Sequence, residues 1–280
     1  MQPDSNECVR SKRKVTELFC NEDISEFLSL AAEEGWISDA WELEFLRTAF
    51  PSGCLVCRNK GIPVAFLTSI KYEKSGWIGN LLVRKEWRGQ GLGSALFERA
   101  LDLLEQAGTR TIWLTASESG RPIYERHGFL AIDTVHRWLA KGQILAGAPD
   151  SDYRGMLALD ETGWGDRREE LLRATINHGS STLLPGGFLI RQRWGNAIQI
   201  GPWSSSNPRV AQQLLTNTIT PTVDGPRIFL DVPEGNCEAT KLMYGTGFSR
   251  QSSTTLMYRG EKPAYSPERI YALASMGSMG

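Results

Sequence analysis

Apolar positions along the chain alternate between strand-like and helix-like spacing. Residues 15–20 (VTELFC) form a short strand-like run, and within 23–34 Ile24, Phe27, Leu28 and Ala31 share one helical face. Asp39 is suited to N-cap a second helix through Ala49, which Pro51-Ser52-Gly53 stops. Strand-like runs follow at 54–58, 64–72 and 77–83, separated by Asn59-Lys60-Gly61 and Lys74-Ser75-Gly76. The strongest helix comes next, with Leu92, Ala95, Leu96, Ala100, Leu103, Leu104 and Ala107 on one face and Gly108 at its end. A strand at 111–115, a short helix at 121–127 and a strand at 130–139 complete the series. The order βααβββαβαβ predicts an α/β unit with a mixed α+β sheet over 15–140.

Residues 141–154 (KGQILAGAPDSDYR) read as a linker of small residues, Pro and acidic punctuation. Beyond it the series recurs. Ile78 to Phe129 holds strand, loop, helix, strand, helix and Gly-Phe, and Ile198 to Phe248 repeats that succession over nearly the same span. Sequence identity between the two stretches is poor. A second unit over 155–280, with a tail from Tyr265 that packs back on one of the domains, is the expectation.

Composition narrows the function classes. At 280 residues, with 41% hydrophobic and 22% charged residues, the chain has ample apolar material for a core. Lys and Arg number 31 against 32 Asp and Glu, a net charge of −1, which argues against a nucleic-acid binder or a basic membrane-surface protein. Residues 1–14 are polar, lack the apolar stretch of a secretory leader and are expected to be disordered; no apolar run reaches the length of a membrane span. A cytoplasmic location follows as the expectation. Five scattered cysteines make no disulfide framework, and Cys54 and Cys57, three apart on a strand, point to opposite faces instead of forming a redox pair. Three histidines make a His-rich metal site improbable, so no metal is expected.

The chemistry-bearing stretch is the run from Asn80 to Ser94 (NLLVRKEWRGQGLGS), where an apolar strand feeds a loop with Gly89, Gly91 and Gly93 at the start of a helix. Backbone N–H groups at such a helix start form an anion cradle that the helix dipole favours. A Walker loop would end in Gly-Lys-Ser/Thr, and a dinucleotide fingerprint would need glycine where Ser94 stands; neither fits. What remains is Arg88-Gly89-Gln90-Gly91-Leu92-Gly93, which resembles the coenzyme A pyrophosphate loop of the GNAT superfamily of N-acetyltransferases. Downstream, Tyr124 with Gly128-Phe129 is similar to that superfamily's Tyr-x-x-x-Gly-Phe signature. The resemblance implies a GNAT fold in two tandem copies, the first catalytic. Its implied cofactor is acetyl-CoA as co-substrate, and its implied reaction is direct attack of an amine on the thioester. It implies that the strand at Leu81, Leu82 and Val83 splays open to pair with the pantetheine arm and that the Leu81 N–H stabilises the oxyanion. Amides from Gly89 through Leu92 and Gly93 to Ser94 would hold the pyrophosphate with help from Arg88 and Gln90, and Tyr124 would protonate the leaving thiolate. A packing role for Tyr124, beside Ile123 and Phe129, is the competing reading.

The base and the acceptor are less determined. Glu73, Glu118 and Asn80 (through a water) are candidates for taking the amine proton, each more readily read as a solvated or structural residue. The resemblance implies an acceptor side lined by the first two helices and their connection, where Trp36 with Glu33, Glu34 and Asp39 either receives a cationic amine or is a tryptophan packing the helix turn beside ordinary cap and surface acids; Asn80 and Glu118 complete that candidate set. The acceptor is expected to be a small molecule or peptide amine, and the chain a monomer or homodimer. The second unit departs from the pattern: its loop, Gly201 to Pro208, lacks the glycine motif, and Met243 stands where Tyr124 stands in the first. It is expected to have lost both coenzyme A binding and the acid. A chain that binds acyl-CoA as a sensor or docks a partner without turnover is the alternative.

Overall fold

The computed structural model describes residues 16–145 and 153–280. Expectations for 1–14, and for the part of the linker at 146–152, lie outside the described residues. The first half runs β1 (Thr16–Leu18), α1 (Ile24–Glu33), α2 (Ala40–Ala49), β2 (Leu55–Asn59), β3 (Ile62–Lys71), β4 (Ser75–Val83), α3 (Leu92–Gln106), β5 (Thr111–Ala116), α4 (Arg121–Arg126) and β6 (Leu130–Ile144). The second half runs α5 (Tyr153–Trp164), α6 (Glu169–His178), β7 (Ser180–Leu184), β8 (Gly187–Trp194), β9 (Ala197–Ser205), α7 (Pro208–Thr218), β10 (Ile219–Pro221), β11 (Arg227–Pro233), α8 (Cys237–Gly245), β12 (Ser249–Gly260) and β13 (Ile270–Ala272). Apart from the short β1, β10 and β13, both halves therefore repeat one order of elements. The 141–154 linker starts later than expected, because β6 continues to Ile144 and pairs with β10 and β11 over those residues.

All the strands join one sheet, whose main path is β1-β2-β3-β4-β5-β12-β6-β11-β9-β8-β7. The two halves have exchanged their last strands. β12 lies antiparallel to β5 from Thr255↔Ala116 to Gly260↔Thr111, while β6 lies antiparallel to β11 from Lys141↔Arg227 to Val135↔Pro233. β6 and β12 then pair with each other at the centre. Because each half completes its sheet with the other's strand, the two copies form one continuous layer.

Alternation along the strands sorts the side chains onto two faces. On one face α3 covers Leu55, Cys57, Leu67, Ile78, Ile112 and Leu114, and farther along Ile200, Ile228 and Leu230 meet residues of α7 and α8. On the other face Val56, Phe66, Trp77 and Trp113 from the first half share a core with α1, α2, Trp164, Leu171 and Phe229. Cys54 and Cys57 are both buried, in the cores on opposite sides of the sheet. The tail after β13 is buried rather than draped: Leu273, Ala274 and Met279 are fully buried, Tyr72 Oη donates to the Met279 carbonyl at 2.5 Å, and Arg168 is ion-paired to Asp160 at 2.7 Å beside it. The tail packs on both copies, where one had been expected. Among the described residues no helix is long and apolar enough to cross a membrane.

Candidate active site between the two copies

β4 and β5 run parallel only over Ser75–Trp77 against Thr111–Trp113, then part. Two features of β4 enforce the parting. The register with β3 slips between Phe66↔Leu82 and Thr68↔Gly79, a bulge, and Asn80 takes a left-handed φ of 53°, a conformation that Asn tolerates better than most residues. The Asn80 side chain is buried and donates to Thr68 Oγ1 at 3.1 Å, which holds the bulge. Leu81, Leu82 and Val83 thus lie on the open arm of a V, paired with β3 alone.

The V leads into the glycine loop. Gly89 and Gly91 adopt φ of 73° and 74°, the left-handed region where a side chain is strained, and a Cβ at Gly89 would meet nothing within 4 Å. Gly91 caps α3 without a side chain, and no acidic residue stands in the first turn. The N–H groups of Leu92, Gly93 and Ser94 therefore lack intrahelical acceptors and face no competing carboxylate. This cradle fits a pyrophosphate. The Leu92 side chain is buried in the core under α3, so only its backbone is available to a ligand. Arg88 does not extend toward the loop: its Nε donates to the Val83 carbonyl at 3.0 Å and its Nη2 meets Glu34 at 2.7 Å. Gln90 Nε2 turns back to the Glu86 carbonyl at 3.4 Å.

At the V the two halves enclose a cavity of about 600 Å³. The first half contributes Trp36, Ile37 and Glu42 from the α1–α2 region, Asn80 and Leu81 from β4, and Thr115, Ser117 and Tyr124. The second contributes Trp194, Gln199, Arg227, Phe229, Thr254 and the tail residues Ser275 to Gly277. The tail crosses the base of the V, where the Asn80 N–H donates to the Gly277 carbonyl at 3.3 Å and Thr115 Oγ1 to the Met276 carbonyl at 2.5 Å. Gly79 permits this approach, since a Cβ there would run into the Gly277 carbonyl.

Tyr124 reaches the cavity from α4 while its ring packs on Phe97 at 5.0 Å and Phe129 at 6.2 Å, so packing and exposure to the cavity coexist. Burial pushes its phenol above the ordinary value, so it stays protonated at neutral pH. Trp36, 41% exposed, and Asn80 both line the cavity. The remaining candidates do not. Glu33 and Glu118 are exposed outside the lining, and Asp39 is spent on structure, accepting from Trp41 N at 2.9 Å as a helix cap and from Gly195 N at 3.0 Å as a tie to the second half. Glu73 lies in the β3–β4 turn, in a separate shallow pocket with Arg167 and Glu169.

Sequence reasoning missed Glu42. It sits in the first turn of α2 on the same stripe as Leu46, so its carboxyl is driven inward, where Ser275 donates at 3.3 Å and Ser278 also donates. Burial pushes that carboxyl up to about 8, the Ser275 hydrogen bond and Arg137 opposing the rise and Asp39 adding to it. An acid on the apolar stripe of a helix was the available signal. Arg137 is held bidentate by buried Asp231 at 2.7 and 2.8 Å.

The equivalent site of the second half is closed. β9 pairs with β11 over Ala197–Ile200, and beyond that point β13 lies against Trp203 and Ser204, with the Leu273 N–H donating to the Asp231 carbonyl. The start of α7 is capped by the Asn207 side chain accepting from Val210 N at 3.1 Å, and Pro208 removes an N–H. Met243 is fully buried in the core beneath α7. Among the described residues no group of His, Cys, Asp and Glu is placed to hold a metal.

Comparison with known proteins places this architecture. Residues 17–129 match the family model "Acetyltransferase (GNAT) family" and 156–272 match "Acetyltransferase (GNAT) domain". The uncharacterized N-acetyltransferase YitH of Bacillus subtilis is 21% identical over 91% of this chain and 94% of its own length. A putative acetyltransferase from Pyrococcus horikoshii superposes with a TM-score of 0.79 at 21% identity, covering 94% of this chain and 95% of that one. A GCN5-related N-acetyltransferase from Sphaerobacter thermophilus gives 0.62 at 14% identity, over 92% and 98%. With a family match on each half and similarity in fold along nearly the whole length, the chain belongs to the GNAT family of N-acetyltransferases, as two copies in tandem.

Proposed function

We propose that the chain transfers an acetyl group from acetyl-CoA directly to an amine, and that the first copy alone carries the reaction. One observation supports this above the others: the V between β4 and β5 opens onto a cavity that holds Tyr124, whereas β13 fills the matching V of the second copy. Acetyl-CoA, when bound, supplies the activated acetyl group. The N–H groups from Gly89 to Ser94 hold its pyrophosphate under the favourable dipole of α3, and the open arm at Leu81 to Val83 receives its pantetheine. The Leu81 N–H is a donor for oxygen charge that develops during transfer. Tyr124, protonated at neutral pH, gives its proton to the departing sulfur.

Glu42 takes the amine's proton. It lines the same cavity, and a carboxyl near pH 8 is half-ionised at mildly alkaline pH, where a weak base is most useful. The acceptor is a small amine, entering between Trp36 and the wall of the second copy. CoA release measured across a panel of amines, amino acids and peptides, with the acetylated product identified by mass, tests the reading. Acetyl-CoA binding with no turnover on any acceptor would favour an acyl-CoA sensor instead.

A further inference from the structure

The cavity wall built by the second copy carries polar groups that nothing in the protein satisfies. Gln199 is 1% exposed, and neither Oε1 nor Nε2 has a hydrogen-bond partner; Trp194 Nε1 and Thr254 Oγ1 are buried and unpartnered as well. Buried amides and indoles are normally hydrogen-bonded, because stripping them of water without replacement is unfavourable. Strand register brings two of them together with a charge. Gln199 pairs across the sheet with Gln192 and Phe229, while Ala197, the next residue on that face, pairs with Trp194 and Arg227. Gln199, Trp194 and Arg227 are therefore neighbours on one sheet face, and all three line the cavity.

The charges on this lining are Glu42, Arg137 and Arg227. Arg137 is neutralised by Asp231, but Arg227, an exposed residue, makes no ion pair among the described residues and its side chain donates to Gln251 Oε1 at 3.5 Å. One guanidinium without a counter-charge, flanked by an indole N–H and an amide NH₂, matches a single carboxylate in charge and in number of donors. We propose that Trp194, Gln199 and Arg227 bind a carboxylate carried by the acceptor, so that the substrate is an amino acid-like amine and the second copy selects it. This rests on the acetyl-transfer reading for the identity of the ligand, and not for the existence of the site. Gln199 Oε1 is left to accept from an N–H or O–H next to that carboxylate.

The full-length protein is assayed with acetyl-CoA and matched acceptors that differ by the carboxylate: lysine against 1,5-diaminopentane, and 4-aminobutyrate against propylamine. Calorimetric titration of the same four probes into the protein runs in parallel. The carboxylate members should be preferred in kcat/KM or in Kd by about tenfold to a hundredfold, the range for hydrogen bonds to a charged group. Arg227→Met and Gln199→Leu should each collapse that preference through KM or Kd, with Arg227→Lys retaining part of it and acetyl-CoA affinity unchanged. Equal use of both members of a pair overturns the carboxylate site and leaves acetyl transfer standing. Selective binding of the carboxylates without any turnover upholds the site and sinks acetyl transfer. If no carboxylate probe binds or reacts, or if the variants keep the preference, the proposal is wrong and the unpartnered groups hold water only.

Discussion

In the first copy β4 and β5 separate after Trp77 and the gap stays open toward the glycine loop; in the second, β9 and β11 separate after Ile200 and β13 moves into the gap. The residues at the two loops follow the same division. Gly89 and Gly91 leave bare N–H groups at the start of α3, while Asn207 and Pro208 consume or remove those at the start of α7. The strand gap beside the second loop is apolar space. Ile270, Tyr271 and Ala272 of β13 occupy it and are at most 1% exposed. The filled slot then steers the tail across the first copy's V, where Met276 and Gly277 form part of the cavity.

The largest effect should come from separating the copies. A fragment 1–145 loses β12, the antiparallel partner of β5, and the half of the shared core contributed by Trp164, Phe229 and Leu256. It is expected to show no cooperative thermal transition and no turnover, by calorimetry and CoA release. An independent fragment that melts cooperatively and matches the full chain would break the comparison. Next, Gly91→Asp puts a like charge and a strained φ at the cradle and should weaken acetyl-CoA more than about a hundredfold by calorimetry, whereas Ser206→Asp at the loop of the second copy should leave a stoichiometry of one unchanged. Two sites per chain in wild type would refute the asymmetry.

Tyr124→Phe should lower kcat by roughly 10²–10⁴-fold with little change in acetyl-CoA affinity, since only the hydroxyl is removed. An unchanged kcat on a good acceptor, with chemistry rate-limiting, would return Tyr124 to a packing role. Glu42→Gln separates activity from stability. Because the folded carboxyl is raised to about 8 from the ordinary carboxylate range, its contribution to stability is full below that range and is lost as pH rises toward 8. The glutamine variant should therefore gain stability relative to wild type between pH 5 and 8, by about 3 kcal/mol at pH 7, while losing most of its turnover. Denaturant titration at two pH values reads this; a variant that is less stable at pH 8 would contradict the buried neutral carboxyl. The smallest effect is expected at the counterpart of Tyr124: Met243→Leu should change stability by less than about 1.5 kcal/mol and leave kcat alone.

Local pattern carried the element order and the turn and cap residues. The 3.6-residue period of α3, the Asp39 and Asn207 caps and the glycine loop are each written within a few residues, and the structure reproduces them at nearly the same bounds. Asp39 shows the limit, since its capping role was legible while its tie to Gly195 depends on a partner half the chain away. The same limit hid Glu42, whose meaning depends on Ser275 and Ser278 arriving from the tail. Gln199 and Arg227 meet the same limit, since only strand pairing sets them on one face beside the cavity.

The sequence by itself determined two copies of one strand-and-helix series and which copy carries the glycine loop at a helix start, because turns, caps and periodicity act over one or two helical turns. Tertiary structure alone decided that β6 and β12 change places. Either strand satisfies the same alternation beside β5 or β11, so no local preference encodes which of them pairs there. That exchange puts the face of β9 and β11 opposite the V of β4, and so builds the cavity between the two copies.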